Sequence, residues 1–406
     1  MLTCTWAPTV FNAMQLARPD AETAHASAVT ARHRQAERTA SAARRIPRGE
    51  SLVRMQIDYV ARLERLGISH LLIAQRWWGS GEEMEGSSLD CLAATALIAA
   101  ASERIQLVTA IHPGFFQPTA IAKWGATIDA ISNGRWSVNV TSGWNMTEFE
   151  MYGIDPLPHS ERYARSAEFI RVLRGAWDNE VFDFDGRYYT ARNLRLEPRP
   201  AAPLTIFQGG QSEPAIAMAA AHSDWMFLNG GDAARTAAII DSVRRACRSS
   251  GRQVRFALHA NPLVRDSDAD AWAEIDRRVA ALDPARVAQR RAAVAGGATH
   301  RAGASSSPAG ASSTPAGASF SRAGAVGMWS SDDALSMLDS NEGYASRLIG
   351  SPATVLAGIQ AFADLGVEML HLTLADPMFI ESVLPKVHSL QAQRSSGAPI
   401  SQETDP

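Results

Sequence analysis

Residues 134–163 have the sequence GRWSVNVTSGWNMTEFEMYGIDPLPHSERY and combine a strand, a polar strand end and the start of a helix. Apolar and small polar side chains alternate over residues 136–141, which predicts a short β-strand. Small and polar residues then hold the chain open over residues 141–145. An amphipathic helix follows, with Ser160 predicted as its N-cap. A strand end and a helix start so rich in donors suit a phosphate or carboxylate, although an ordinary strand–loop–helix has the same pattern.

The rest of the chain repeats this alternation of strand and helix. The apolar runs that predict strands are residues 2–7, 70–74, 105–111, 136–141, 204–208, 224–228, 254–258 and 368–373. Helical periodicity occupies residues 51–66, 89–101, 118–132, 160–177, 212–222, 232–248, 267–282, 351–365 and 378–390. This order predicts an α/β fold, a TIM-type (β/α) eight-stranded parallel barrel. Residues 182–196 alternate around Asp185 and Gly186, which predicts a small inserted β-hairpin.

The barrel is predicted to be a single domain over residues 1–390, with two segments of biased composition. Residues 18–48 are rich in Ala and Arg with weak apolar periodicity, which predicts a loose insertion. Residues 292–326 repeat PAGAS, and such a composition buries too little apolar area to offset its ordering entropy. We therefore expect a long low-complexity mobile lid there, and a polar tail over residues 391–406.

Composition excludes several classes of function. The chain of 406 residues is 46% hydrophobic with a net charge of −3, which gives no reason to expect a nucleic acid or membrane partner. The three cysteines lie far apart, which argues against a disulfide framework or structural zinc, and no spacing of carboxylates and histidines predicts a metal site. The absence of a long apolar run or a convincing export signal predicts a cytoplasmic protein.

Polar, glycine-rich and aromatic residues gather at the predicted C-terminal strand ends, whereas the opposite loops are ordinary turns. A ligand site is therefore expected at the C-terminal face of the barrel. The residues at these ends are Trp6, Gln75, Arg76, Trp77, Trp78, His112, Thr141, Ser142, Gly143, Trp144, Gln208, Gly209, Gly210, Gln211, Ser212, Asn229, Gly230, Gly231, His259 and Asn261.

Residues 209–212, GGQS, stand between a strand and a helix, where backbone N–H groups can approach an anion. Ser212 is predicted to cap that helix or to donate to a phosphate oxygen. Neither GxGxxG nor GxxxxGK[ST] is present, so a dinucleotide fold and a P-loop are not supported, whereas a mononucleotide such as FMN is compatible. His112 and His259 are pocket candidates, although a histidine at a strand end is more often part of a polar wall. No catalytic residue is identified.

Three long stretches resemble the bacterial luciferase-like, reduced-FMN-dependent monooxygenases. They are residues 113–153 (PGFFQPTAIAKWGATIDAISNGRWSVNVTSGWNMTEFEMYG), 159–189 (HSERYARSAEFIRVLRGAWDNEVFDFDGRYY) and 206–231 (IFQGGQSEPAIAMAAAHSDWMFLNGG). The resemblance spans residues 52–266 and resumes at 347–384. Within the superfamily the chain looks most like the dimethyl sulfone and alkanesulfonate monooxygenase group.

The resemblance implies an oxidoreductase that uses reduced FMN and O2, with the flavin supplied by a separate NAD(P)H-dependent FMN reductase. The implied substrate is a small organosulfur compound such as dimethyl sulfone, and the implied assembly is a homodimer or homotetramer. The alternatives are a pyrimidine-type or natural-product monooxygenase on the same scaffold, or a non-catalytic flavin-binding relative.

The same resemblance assigns cofactor contacts by motif. The residues that look like flavin contacts are Gln75, Arg76, Asn139 and Glu148, and those that look like the phosphate end are Arg162, Tyr163 and Ser212.

Four positions depart from the alkanesulfonate enzymes. Ser88 stands where they have a cysteine, His259 and Asn261 where they have arginine and histidine, and Phe362 where they have tyrosine. The low-complexity segment carries only His300, Arg301 and Arg322 as charges. A buried sulfonate needs a fixed cation, so these departures favour a neutral substrate. The expected pocket is walled by Trp77, Trp78, Phe115, Phe116 and Phe362.

Overall fold

The computed structural model describes residues 1–11, 46–77, 87–288, 291–292, 333–339 and 341–396. Its centre is a closed barrel of parallel strands in the order β1-β8-β7-β6-β5-β4-β3-β2. The strands are β1 Leu2–Trp6, β2 His70–Ile73, β3 Gln106–Ile111, β4 Trp136–Val140, β5 Thr205–Gly209, β6 Trp225–Leu228, β7 Arg255–Ala260 and β8 Val367–Leu372. The predicted TIM-type barrel is confirmed, and each strand lies within a few residues of its prediction.

Helices connect and surround these strands. They are α1 Glu50–Arg65, α2 Cys91–Ala101, α3 Pro118–Ser132, α4 Met146–Met151, α5 His159–Asp178, α6 Glu213–His222, α7 Ala233–Cys247, α8 Asp268–Ala280, α9 Pro352–Leu365 and α10 Leu384–Ser396. A π-helical turn, Phe379–Val383, leads into α10. Helix α10 continues to Ser396, into the segment predicted as a polar tail.

Strand β4 shows how the sequence pattern becomes barrel geometry. All five of its residues are buried, and alternate side chains point to opposite sides. Trp136 and its apolar partners on β4 pack in the large core between barrel and helices. Asn139 pairs in register with Ala110 and Phe207, which belong to the core inside the barrel. That inner core also fills the barrel, so a ligand has room only at its ends.

The predicted hairpin is confirmed as strands Phe182–Asp185 and Thr190–Leu194, which pair antiparallel. The Glu168 carboxylate of α5 accepts hydrogen bonds from the backbone N–H groups of Arg187 and Tyr188 at 2.9 and 2.8 Å. The hairpin is thereby attached to α5, the helix that begins with the predicted phosphate-binding residues.

Residues 333–339 and 341–348 lie across the C-terminal ends of β6 and β7. The Gly230 N–H donates to the Asn341 carbonyl at 2.8 Å, and the Asn261 N–H donates to the Gly343 carbonyl at 3.2 Å. Any side chain at Gly230 would overlap the Glu342 carbonyl, so this close approach requires glycine. The segment therefore forms part of the wall of the barrel mouth.

Ser160 is not the N-cap of α5, contrary to the prediction. The helix begins at His159, one residue before the predicted start. Its N-cap is Pro158, which has no side-chain acceptor. A proline fixes φ near the value of a helix start, and it fulfils this role without a capping hydroxyl.

Several predictions concern residues outside the described part of the chain: most of the insertion, residues 18–45, nearly all of the expected lid, residues 293–326, and Trp78. Among the residues that are described, no helix is both long and apolar enough to cross a membrane.

Candidate functional site

The structure brings the predicted cofactor residues to the C-terminal ends of β2 to β5 and their connections. Two groups result. The first lies at the starts of α5 and α6 and contains Arg162, Tyr163 and Ser212. The second lies at the tips of β2, β3 and β4 and contains Gln75, Arg76, His112 and Asn139. Glu148 is buried in α4, between the two groups along the chain.

Arg162 is the buried cation of the first group. Its side chain lies in the first turn of α5, is 1% exposed and contacts the Met146 sulfur. Burial lowers its pKa to about 10, the Tyr163 phenol opposes this shift and the Arg165 guanidinium adds to it. An arginine in the first turn of a helix suits an anionic ligand, because the helix N-terminus adds to its positive charge.

Gly210 and Tyr163 give this end its shape. Gly210 has φ of +109°, and a Cβ there would lie 2.5 Å from the Tyr163 hydroxyl. Burial raises the pKa of Tyr163, and the neighbouring Ser212 hydroxyl and Arg162 partly offset this. The side chains of Tyr163 and Ser212 therefore meet beneath the Gly210 turn. Because glycine has no Cβ, the backbone of this turn stays accessible.

Ser212 is the N-cap residue of α6, as predicted, but its side chain makes no capping hydrogen bond. The side-chain nitrogen and oxygen of the adjacent Gln211 are buried without a partner among the described residues. Donors at the start of α6 thus remain available, in the arrangement that suits an anion at a helix N-terminus. Gln211 was quoted in the GGQS stretch but not predicted as a contact.

The second group contains three buried polar atoms that have no partner within the described chain: Gln75 Nε2, His112 Nδ1 and Asn139 Oδ1. Gln75 Oε1 accepts a hydrogen bond from the backbone N–H of His112 at 3.0 Å, which leaves the side-chain NH2 of Gln75 to donate elsewhere. Leaving such groups unsatisfied costs stability. A ligand with a polar heteroaromatic edge would satisfy them, so these residues fit a flavin ring.

Ser88 fixes the backbone of Arg76. Its hydroxyl accepts from the Arg76 N–H and donates to the Arg76 carbonyl, both at 2.9 Å. The Arg76 guanidinium in turn donates to the Gln75 carbonyl at 2.9 Å. Ser88, noted above only as a departure from a cysteine, therefore has a structural role here.

His112 is neutral near pH 7. Burial, together with the nearby Arg76 charge, lowers its pKa to about 3. In this position it can donate or accept one hydrogen bond but is not a general acid near neutral pH.

An aromatic cluster covers this end of the site. Trp77 stacks on Phe115 with ring centroids 4.8 Å apart, and Phe149 and Phe116 pack beside them. The predicted pocket residues Trp77, Phe115 and Phe116 thus lie together. Phe362 does not join them: it lies on α9 at 3% exposure, in the core between helices and barrel, so its prediction as a pocket residue is wrong.

His259, the second pocket candidate, lies across the barrel mouth and pairs with a residue that sequence reasoning missed. Its Nδ1 is 3.3 Å from Nδ1 of His371 on β8, and its Nε2 is 3.6 Å from the Asp339 carboxylate. The rings of Trp6 and His371 lie 4.4 Å apart. His259 and His371 occupy matching positions on neighbouring strands. This register was the one signal from which the pairing of His371 with His259 could have been predicted.

Asp339 is held as a carboxylate. Burial raises its pKa, but the contact with His259 and the backbone N–H groups of Gly343 and Asn341 outweigh burial, and its pKa lies below the ordinary value. Within the described residues, no cluster of three or more His, Cys, Asp or Glu side chains is arranged to hold a metal ion.

Comparison with known proteins gives a consistent set of relatives. The model of the luciferase-like monooxygenase family matches residues 25–369. An FMNH(2)-dependent dimethylsulfone monooxygenase from Pseudomonas fluorescens (strain Pf0-1) is 33% identical over 352 residues, which cover 84% of this chain and 90% of the relative. An enzyme of the same description from Pseudomonas putida is 32% identical over 358 residues, 85% of this chain and 92% of the relative.

The fold is also found in a solved structure of riboflavin lyase (RcaE) with modified FMN and riboflavin. Its TM-score is 0.67 at 17% sequence identity, and the match covers 100% of this chain and 94% of that one.

Proposed function

Since the chain belongs to the luciferase-like monooxygenase family, we propose that it uses reduced FMN and O2 to oxygenate dimethyl sulfone or a similar small neutral organosulfur compound. The two curated relatives, at 33% and 32% identity over most of both chains, support this activity. The observation in this molecule that carries the proposal is the set of buried polar atoms at the ends of β2 to β4, facing a site that also holds a buried arginine.

In this proposal the flavin lies across both groups of residues. Arg162, Tyr163 and Ser212, with the backbone at Gly210, hold the phosphate. Gln75 and Asn139 meet the polar edge of the ring, and His112 offers a further neutral hydrogen-bonding atom. Arg76 and Glu148, assigned by resemblance alone, are included as flanking contacts. Reduced FMN supplies the electrons with which O2 is activated.

The aromatic cluster has a separate task. Trp77, Phe115 and Phe149 pack as one apolar wall. Such a wall excludes water from the reacting groups and strengthens the electrostatic interactions inside the site.

The charges opposite the flavin favour a neutral substrate over a sulfonate. His259 stands where the alkanesulfonate enzymes have arginine, and ionised Asp339 lies 3.6 Å from it. Any positive charge on His259 is therefore balanced locally, and an anionic substrate would meet a carboxylate close to its binding place. A sulfone carries no charge and needs no such cation.

A separate NAD(P)H-dependent FMN reductase and a homodimer or homotetramer are proposed from the resemblance. A cytoplasmic location is proposed from the composition of the sequence. A single barrel domain over residues 1–390 is likewise proposed. The described residues form one barrel, which supports the need for a separate source of reduced flavin.

A substrate panel tests the proposal. One flavin reductase supplies reduced FMN at a fixed rate, and substrate loss is followed for dimethyl sulfone, methanesulfonate, longer alkanesulfonates and uracil. We expect dimethyl sulfone to be consumed fastest. Faster loss of sulfonates would show that the charge argument is wrong, loss of uracil would favour a pyrimidine-type oxygenase, and flavin binding without any turnover would favour a non-catalytic relative.

A further inference from the structure

Two histidines lie side by side at the C-terminal end of the barrel, on β7 and β8, opposite the strands assigned to the flavin. His259 and His371 pair in register, and each is 3% exposed. The rings of Trp6 and Phe227 lie 4.4 and 5.4 Å from the His371 ring. His371 therefore occupies an aromatic niche at the barrel mouth.

One nitrogen of this pair has no partner within the described part of the chain. His371 Nε2 is buried and makes no hydrogen bond to any described residue, whereas Nδ1 faces His259 at 3.3 Å. A buried imidazole nitrogen left without a partner is costly, which indicates that a ligand or a rearranged group satisfies it in the working protein.

The proton on His259 Nε2 is fixed by Asp339. This carboxylate accepts backbone N–H groups from Asn341 and Gly343 at 2.8 and 2.9 Å, so it stays in place and ionised. An ionised carboxylate 3.6 Å away favours a proton on the facing nitrogen, His259 Nε2.

The positions of the remaining protons on the two rings follow from the contact between His259 Nδ1 and His371 Nδ1, because one atom must donate and the other must accept. If His259 is neutral, its Nδ1 accepts, His371 Nδ1 carries the proton, and His371 Nε2 is an acceptor. If His259 is cationic, its Nδ1 donates, and the neutral His371 carries its proton on Nε2 as a donor. Burial and His259 lower the pKa of His371 well below its ordinary value, so His371 itself remains neutral.

We propose that His371 Nε2–H binds a sulfonyl oxygen of the substrate, and that Asp339 and His259 are positioning residues that set the His371 tautomer. The proposal rests on the proposed function and deepens it, because it names the group that recognises the sulfone. Sulfonyl oxygens only accept hydrogen bonds, so they select the state in which His259 is protonated and Nε2 donates.

The groups that face this pair are few. His259 comes from β7, Asp339 from the segment after Asp333, and the Cys4 thiol from β1, in register with His371. Burial raises the pKa of Cys4, so it stays a neutral thiol near pH 7.

Two substitutions test the two ring nitrogens of His371 separately. His371→Asn places a polar atom near Nδ1 and keeps the contact with His259, whereas His371→Gln places one near Nε2. Dissociation constants for dimethyl sulfone are measured by anaerobic titration of protein loaded with reduced FMN. Dimethyl sulfide, which lacks sulfonyl oxygens, is the control ligand. The control variant is His70→Asn, which changes a half-buried histidine at the other end of the barrel.

We expect His371→Asn to weaken sulfone binding about tenfold, and His371→Gln to stay within about threefold of the wild type. Binding of dimethyl sulfide and of FMN should be unchanged in both, and His70→Asn should bind sulfone like the wild type. Equal sulfone binding in His371→Asn and wild type, or tighter binding by Asn than by Gln, would overturn the proposal.

Nitrogen-15 NMR of histidine-labelled protein reads the tautomer directly, without turnover. Addition of dimethyl sulfone should move the His371 proton to Nε2 in wild type, and Asp339→Asn should reduce this change. An unchanged tautomer would overturn the inference while leaving the proposed function intact. Wild-type protein that binds reduced FMN but not sulfone would overturn both together.

Discussion

Arg162 is the single residue on which the flavin assignment depends most. The loss of a charge-assisted contact to phosphate should cost roughly 1.5–3 kcal/mol. Arg162→Ala should therefore weaken reduced FMN binding by about tenfold or more, as measured by anaerobic fluorescence titration. Arg187→Ala, which removes an exposed arginine beside the same helix, is the matched control and should bind normally. Unchanged affinity for reduced FMN in folded Arg162→Ala protein would show that the phosphate does not bind at Arg162.

His70 provides a prediction about pH and stability. Burial, with a smaller contribution from Arg255, lowers its pKa from 6.5 to about 4. Between these pH values the unfolded chain binds a proton at His70 that the folded protein does not. The contribution of neutral His70 to the free energy of unfolding is therefore complete above pH 6.5 and is lost as the pH falls. His70→Asn should make the free energy of unfolding less dependent on pH in this window, by up to about 1.4 kcal/mol per pH unit. Urea unfolding at several pH values measures this, and identical slopes would contradict the buried neutral state.

The sequence identified some site residues and missed others for a physical reason. Ser212 stands at a predicted helix start, so the local pattern indicated it as a candidate, whereas Arg162 and Tyr163 were assigned through the family resemblance. His371 and His259 are 112 residues apart in the chain and meet only through strand register. Asp339 lies in a segment with no regular pattern, and nothing local connects it to His259.

Among the elements, helix α3 packs closely against β4 at a glycine, Gly125. A Cβ at Gly125 would overlap the indole of Trp136, which is itself enclosed by the core. Gly125→Ala should therefore lower the free energy of unfolding by about 1–3 kcal/mol, despite a better helix propensity.

Gly358→Ala on α9 is the control for this contact. Its Cβ would meet only the end of the flexible Leu348 side chain, at 2.8 Å. Its stability should be close to that of the wild type, because improved helix propensity offsets a small rearrangement. Equal effects of the two substitutions in urea unfolding would show that the Trp136 contact is not the cause.

Element boundaries were predictable where one periodicity dominated. The helix over residues 118–132 was placed to the residue, because Pro118 starts it and Asn133 ends it in the left-handed region. The start of α5 was misplaced because Ser160 has the usual capping chemistry, whereas the backbone restriction of Pro158 decides the boundary. Phe362 was placed in the pocket through its match to a tyrosine of the alkanesulfonate enzymes, and the apolar face of α9 buries it elsewhere.

At the scale of the whole molecule, the barrel separates stability from function. Alternate strand residues fill the two cores, and the polar residues are left to the C-terminal strand ends. This division explains why strand counting predicted the architecture. The sequence pattern could not predict how residues 333–339 and 341–348 cross the mouth, since that path depends on contacts with Gly230 and Asn261.

We propose that this mouth binds reduced FMN and directs oxygen to a neutral sulfone. A single-turnover experiment tests it most directly: protein loaded anaerobically with one equivalent of reduced FMN is mixed with O2 and dimethyl sulfone, and consumed sulfone is counted per flavin. We expect close to one sulfone to be consumed per reduced FMN, and a much lower yield with Arg162→Ala at the same flavin concentration. Oxidation of the flavin with no loss of sulfone, while methanesulfonate is consumed under the same conditions, would contradict it.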